Sequence, residues 1–194
     1  INLMLKIGLL TAFLITMLML SSCATPPMLP IVAVNDPLRL GNPRAAFVVA
    51  IQTNREPLRV GNSPRLSLRT TTSGYMNLYF INPSGKTGQV LSNYPVDAHE
   101  IIVFPPTTSK QLQYTLAPPI GVENFILVVT QQPLNLLSRR DISNVKKPRT
   151  AIAEFNLNGP QLINRLRDAL YRWPPSAWNA DSVQLPLITP AAHS

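Results

Sequence analysis

Proline sets the strongest limit on what this chain can fold into. The sequence carries 20 prolines against 8 glycines. A proline fixes φ, removes a backbone donor and breaks a helix interior or a central sheet ladder. Turn signals recur about every 8–12 residues from Arg65 onward, the spacing of an antiparallel sandwich or barrel. The expected fold is therefore mainly β. An apolar share of 45% looks ordinary, but the first residues inflate it.

Individual segments sharpen this expectation. Ala46 to Ile51 reads as the first strand of a domain, and Leu66 and Leu68 alternate with Ser67 and Arg69. Tyr75 to Ile81 is rich in aromatic and branched residues, with Met76, Leu78 and Phe80 on one face. Asn82-Pro83-Ser84-Gly85 has the residue order of a type I turn, and Gln89 to Leu91 is the return strand. Ile101 to Phe104 forms a short strand ended by Pro105-Pro106, and Gln111 to Leu116 alternates. Phe125 to Val129 is continuously apolar, as in a central strand covered on both sides. Ala151 to Leu157 and Val183 to Leu187 are further strands. Leu38-Arg39-Leu40-Gly41-Asn42 is echoed by Leu58-Arg59-Val60-Gly61-Asn62, each after a proline; two such copies do not make a solenoid.

The spacing predicts one helix over 159–173. Pro160 suits its first turn, and Leu162, Leu166 and Leu170 repeat at i, i+4 and i+8, flanked by Ile163 and Trp173. Gln161, Arg165, Asp168 and Arg172 fall on the opposite face, and Pro174-Pro175 stops it. A second short helix is expected near Leu134 to Asp141.

The N-terminus follows a different logic. Lys6 precedes the apolar run Ile7 to Leu20. As a helix this run reaches about 21 Å, short of the roughly 30 Å of a bilayer core. It has the length of a signal h-region; since residue 1 is Ile, either residues precede it or the start lies elsewhere, Met4 being one candidate initiator. The run ends in Leu20-Ser21-Ser22-Cys23, which resembles the lipobox of bacterial lipoproteins. That resemblance implies that the Cys23 thiol receives a diacylglyceryl group and that cleavage makes it the new N-terminus. Cys23 is the sole cysteine, so a disulfide-stapled domain is excluded and the sulfur is kept for other chemistry. Ala24 follows it where enterobacterial lipoproteins retained in the inner membrane carry Asp, which implies an outer-membrane address. Loss of residues 1–22 removes Lys6 and lowers the net charge of +8 by one. Residues 23–45 hold Pro26, Pro27, Pro30, Pro37 and Pro43 and read as a semi-extended tether, with the domain over 46–190.

Ser73-Gly74-Tyr75-Met76-Asn77-Leu78-Tyr79 resembles the Gly-Tyr-x-x-Leu strand of domain of unknown function family 4384. Ile81-Asn82-Pro83-Ser84-Gly85-Lys86 and then Asn93-Tyr94-Pro95 follow as in that family. Pro118-Pro119-Ile120-Gly121-Val122-Glu123 is similar to its Pro-x-Gly-x-Glu turn before a core strand, which closes in Gln132-Pro133-Leu134. The resemblance covers Thr72 to Pro133. It implies an immunoglobulin-like antiparallel β-sandwich on an envelope protein, with Gly74 structural, Glu123 as a turn cap and no catalytic residues. The helix and the segment after Leu157 go beyond it.

Catalytic chemistry finds little support. Gly85-Lys86-Thr87 resembles the end of a phosphate-binding loop, but Phe80 stands where the first glycine is needed and a strand follows instead of a helix. The only histidines are His99 and His193. Asp97 and His99 are the one pairing that suggests an oriented imidazole, and no Gly-x-Ser-x-Gly elbow accompanies them. No His, Cys or carboxylate cluster has metal-ligand spacing. No catalytic, cofactor or metal residues are expected.

The basic residues Arg139, Arg140, Lys146, Lys147, Arg149, Arg165, Arg167 and Arg172 outweigh Asp141, Glu154 and Asp168. They read either as a solvated surface or as a contact with an anionic surface: headgroups, lipopolysaccharide, peptidoglycan or an acidic partner. Nucleic acid is excluded by the signal segment and by the lack of interleaved stacking aromatics. The sequence thus predicts a non-enzymatic module, lipid-anchored on the periplasmic face of the outer membrane. It would bind an envelope protein or peptidoglycan, for instance as an accessory of a secretion machine. A cell-wall hydrolase or a structural spacer are the alternatives.

Overall fold

Residues 74–81, Gly-Tyr-Met-Asn-Leu-Tyr-Phe-Ile, bury side chains on both faces of one strand. Met76, Leu78 and Phe80 join one apolar cluster, and Tyr79 and Ile81 join another. A strand with two buried faces needs a layer on each side, because successive side chains point opposite ways. The fold supplies those layers. The computed structural model describes residues 36–53, 58–106, 114–135, 141 and 152–189. Its elements are β1 (Val49–Thr53), β2 (Leu58–Arg59), β3 (Leu66–Thr70), β4 (Gly74–Ile81), β5 (Thr87–Val96), β6 (Ile101–Phe104), β7 (Gly121–Thr130), β8 (Ala153–Glu154), α1 (Gly159–Leu170) and β9 (Trp178–Ile188).

The strands form two sheets. The smaller has the order β1-β3-β6 and the larger β2-β9-β7-β4-β5-β8. Among the described strands, only the short β2–β9 pair is parallel. Val49, Ile51, Leu66, Leu68 and Phe104 of the small sheet share a core with Met76, Leu78, Phe80, Phe125, Leu127, Val129, Leu185 and Leu187 of the large one. On the far side of the large sheet, Tyr79, Ile81, Ile126, Val128 and Ala180 pack against Leu162, Leu166 and Leu170 of α1. The layers are therefore small sheet, large sheet and helix. The uninterrupted apolar run of β7 is a strand covered on both faces, as its sequence predicts.

Local signals explain the element ends. Asn158 caps α1: its side chain accepts from the Gln161 N–H while the Gln161 side chain accepts from the Asn158 N–H. The helix ends at Leu170, earlier than the 159–173 expected: Pro174 has no N–H to reach the Leu170 carbonyl, which takes the Trp173 N–H three residues on instead. Between β4 and β5, the Gly85 N–H donates to the Asn82 carbonyl at 2.8 Å and the Lys86 N–H to Asn82 Oδ1 at 2.9 Å. Gly85 has φ +81, a left-handed position that closes the hairpin. The Gly-Lys pair is thus turn chemistry.

Other expectations change. No strand forms at Tyr114 to Leu116, the described part of the expected 111–116 strand. Tyr114 and Leu116 are nonetheless buried, and Leu116 exchanges two backbone hydrogen bonds with Gly61 and Asn62. In the described part of the expected 151–157 strand, residues 152–157, the strand is β8, followed by one bond from the Phe155 N–H to the Thr87 carbonyl. The expected 183–187 strand lengthens to Trp178–Ile188, because β7 offers ten partners in register. The two echoed segments differ: Leu58–Arg59 joins β9 as β2, while residues 38–42 form no strand. Residues 36–45, within the expected tether, pack on β9. Leu40 and Asn42 are buried, the Leu38 N–H donates to Ser182 Oγ, and the Asn42 N–H donates to Asn179 Oδ1. Most of the expected 134–141 helix lies outside the described residues.

Candidate functional site

The aromatic residues that follow α1 converge on one cleft. Tyr171 caps the helix, and the Trp173 N–H donates to the Leu170 carbonyl at 3.0 Å. Pro174 turns the chain into a single 3-10 turn at Pro175–Ala177, which delivers Trp178 as the first residue of β9. The cleft measures about 150 Å³ and is lined by Asn42, Pro43, Arg44, Tyr171, Trp173, Pro175 and Trp178. The Tyr171 ring stands edge-on to that of Trp178, centroids 5.9 Å apart. Trp178 is buried, whereas Tyr171 is 61% exposed.

Asn42 fixes the opposite wall. Its Nδ2 donates to the carbonyls of Pro175 at 2.7 Å and Trp178 at 2.9 Å, and its Oδ1 accepts the Arg44 N–H at 3.0 Å. Asn179 ties the next layer, donating from Nδ2 to the Phe47 carbonyl at 2.7 Å. The cleft is therefore preformed, since its walls are held by buried hydrogen bonds. Arg44 is exposed at its edge, and among the described residues no carboxylate pairs with it. Flat aromatic faces beside an unpaired guanidinium suit a ligand that is part apolar and part anionic.

Carboxylates are buried elsewhere. Glu123 sits inside β7, not at a turn as the resemblance implied. Its Oε1 accepts the Tyr114 hydroxyl, and its Oε2 has no hydrogen-bond partner among the described residues. Burial pushes this carboxyl up to about 7, partly offset by the Tyr114 hydrogen bond. Burial, then the Glu123 charge, also raises the Tyr114 phenol. Asp181 of β9 accepts the Ile51 N–H at 3.0 Å and the Ser182 N–H at 2.9 Å. Burial pushes it up to about 6, the two backbone donors opposing this and Asp36 adding to it. Asp36 itself accepts the Ser182 hydroxyl and the Gly41 N–H. These carboxyls face the interior and take part in joining the strands.

The predicted site residues scatter. Arg165 on α1 pairs with Asp141 at 3.3 Å. Arg167 lies in the last turn of α1, and Arg172 is exposed between Tyr171 and Trp173. Arg139, Arg140, Lys146, Lys147, Arg149 and Cys23 lie outside the described residues. His99 is exposed on the turn between β5 and β6 with φ +65, and it is not part of the cleft. Among the described residues, no group of three or more His, Cys, Asp or Glu is placed to hold a metal ion. Sequence reasoning treated Trp173 only as a flank of the helical stripe. The signal for the cleft was the density of rings and prolines over 171–178.

Fold and cleft together define a class: a mainly β domain of two sheets with a helix on the outer face of the larger, and a preformed aromatic cleft at the helix end. The model of the family described as Domain of unknown function (DUF4384) matches residues 57–133. That match supports the resemblance read at Thr72 to Pro133 and spans β2 to β7. The elements outside it, β1, β8, α1 and β9, complete both sheets and cover the large one. Comparison with curated proteins and with solved structures gives no match.

Proposed function

We propose that the chain is a lipoprotein of the bacterial outer membrane, acylated at Cys23, whose domain binds a component of the cell envelope without catalysing a reaction. The observation that carries this reading is Leu20-Ser21-Ser22-Cys23 at the end of a 7–20 apolar run, in a chain with one cysteine. Several acyl chains, at about 0.8 kcal/mol per buried CH₂, hold such a protein durably. Within this reading the domain is an immunoglobulin-like sandwich carried by a proline-rich tether on the periplasmic face. The antiparallel pairing outside β2–β9 and the core shared by the two sheets are in keeping with it.

A binding role is supported by where the polar groups lie. Glu123 and Asp181 are spent within the fold, whereas the cleft offers rings and a guanidinium, which bind and do not transfer protons at neutral pH. The partner is an envelope protein or peptidoglycan, and tethering to the same membrane raises its effective concentration. Labelling cells with radioactive palmitate tests the anchor. The native chain takes up label and fractionates with the outer membrane, while Cys23→Ser is unlabelled and released. A Cys23→Ser protein that is processed normally and stays in the membrane sinks the reading. Crosslinking and affinity capture of the labelled protein then identify the partner.

A further inference from the structure

We propose that the cleft end of the domain is a membrane-facing surface that binds the phosphate headgroups of anionic phospholipid in the bilayer holding the anchor. The proposal rests on the anchored reading above. Its first support is composition. Tyr171 is largely exposed, Trp173 is half-buried, and the exposed Arg44 and Arg172 stand beside them in the cleft wall and the sequence. Amphipathic rings settle at the headgroup level of a bilayer, and a guanidinium pairs with phosphate through two parallel hydrogen bonds.

Position is the second support. The described chain begins at Asp36, whose carboxylate accepts the N–H of Gly41, the residue before Asn42 in the cleft wall. Fully extended, the segment from Cys23 to Asp36 spans at most about 45 Å. The described chain thus enters the domain beside the cleft wall. The third support is what the cleft lacks. A headgroup phosphate is satisfied by a single guanidinium, whereas a glycan or peptide draws on more polar groups converging on it. The Asn42 amide is committed to Pro175, Trp178 and Arg44, which leaves the Arg44 guanidinium as the charged group on the wall.

The test uses the chain's own reporters. Trp173 and Trp178 are the two tryptophans of the whole chain, and both line the cleft. The lipidated protein is reconstituted into vesicles of phosphatidylethanolamine with phosphatidylglycerol, or of phosphatidylcholine alone, each with shallowly brominated acyl chains. The proposal expects tryptophan quenching in the anionic vesicles and little in the neutral ones. Loss of each arginine weakens headgroup engagement about fivefold, so Arg44→Glu with Arg172→Glu abolishes the difference, and Arg44→Gln with Arg172→Gln reduces it. Both changes are at exposed positions, and circular dichroism checks the fold. Protein that floats with both vesicle types but is quenched equally in each overturns the proposal and leaves the anchor standing. Protein that fails to float overturns the anchor. The unlipidated Cys23→Ser chain added to anionic vesicles then decides the cleft alone, salt-sensitive quenching supporting it and none refuting it. Tryptophan quenching by soluble peptidoglycan fragments or a proline-rich peptide, with none by vesicles, assigns the cleft elsewhere and overturns the proposal.

Discussion

The Tyr114 phenol donates its hydrogen bond to Oε1 of Glu123 inside the core shared by the two sheets. The ring of Tyr114 stands edge-on to Phe80 at 5.2 Å and to Phe125 at 5.4 Å. A carboxyl among aromatic rings has lost its water, and only one of its oxygens has found a replacement.

Stability should therefore fall as pH rises through neutrality. The folded-state value of Glu123 is about 7 against an ordinary 4.5, so the neutral acid is the form the fold prefers. The stabilisation is fully present below the unfolded value and is lost as pH climbs through the folded one. Across that window the loss is on the order of 3 kcal/mol. Asp181, raised from 3.8 to about 6, adds a loss of the same sign at lower pH. Urea unfolding at pH 5 and pH 8 measures the slope. Glu123→Gln flattens it and is the more stable protein at pH 8; an unchanged slope refutes the assignment.

Tyr114→Phe keeps the ring contacts and deletes the donor. Both carboxyl oxygens of Glu123 are then unpartnered, at a cost of about 1–3 kcal/mol. The hydrogen bond from Tyr114 lowers the Glu123 value, so its loss moves the pH midpoint upward. A midpoint that stays or falls would contradict the geometry.

Asn77 holds the irregular strand β5. Its fully buried Oδ1 accepts the Gln89 Nε2 at 2.9 Å and the Asn93 N–H at 3.0 Å, where β5 shifts register against β4 and Asn93 takes φ +48. Asn77→Ala leaves the Asn93 N–H without its acceptor, while Gln89 Nε2 keeps its bond to the Leu91 carbonyl, and costs about 1–3 kcal/mol. Hydrogen exchange should speed up around residues 89–94 before the rest of the sheet. Uniform loss of protection would show that the amide does not act locally.

Two glycines are needed for different reasons. A Cβ at Gly74 would lie 2.5 Å from the Thr130 carbonyl oxygen of the neighbouring strand, while one at Gly85 meets nothing but has φ +81. Gly74→Ala forces two backbones apart and costs about 2 kcal/mol or more. Gly85→Ala carries only left-handed strain, about 1–2 kcal/mol. Thermal melts that reverse this order would dispute the close approach at Gly74.

Leu166 and Arg165 are neighbours on α1 with unequal weight. Leu166 is wholly buried against the large sheet, and its truncation to Ala costs about 2–5 kcal/mol. Arg165 makes a half-exposed ion pair with Asp141, and Arg165→Ala costs at most about 1 kcal/mol. Denaturant midpoints for the two variants compare them directly.

Much of this fold was legible because it is locally encoded. The alternation of Leu66 and Leu68 with polar neighbours, the Asn-Pro-Ser-Gly turn and the leucine stripe of α1 are each written within a dozen residues. The cleft was not legible, because Asn42 to Arg44 and Tyr171 to Trp178 lie far apart in sequence and only packing joins them. Glu123 was misplaced for a related reason: the resemblance made it a turn cap, and nothing local announces that Tyr114 waits inside the core.

By itself, the sequence determined the mainly β character, the helix with its leucine stripe and the two-faced strand β7. Each follows from side-chain period or residue type over short stretches. Tertiary structure alone decided that β9 enters between β2 and β7, that the helix covers one face of the large sheet, and that two distant segments meet in an aromatic cleft. Those outcomes depend on which buried faces find each other across the chain. Local periodicity fixes that a face must be covered but not by what.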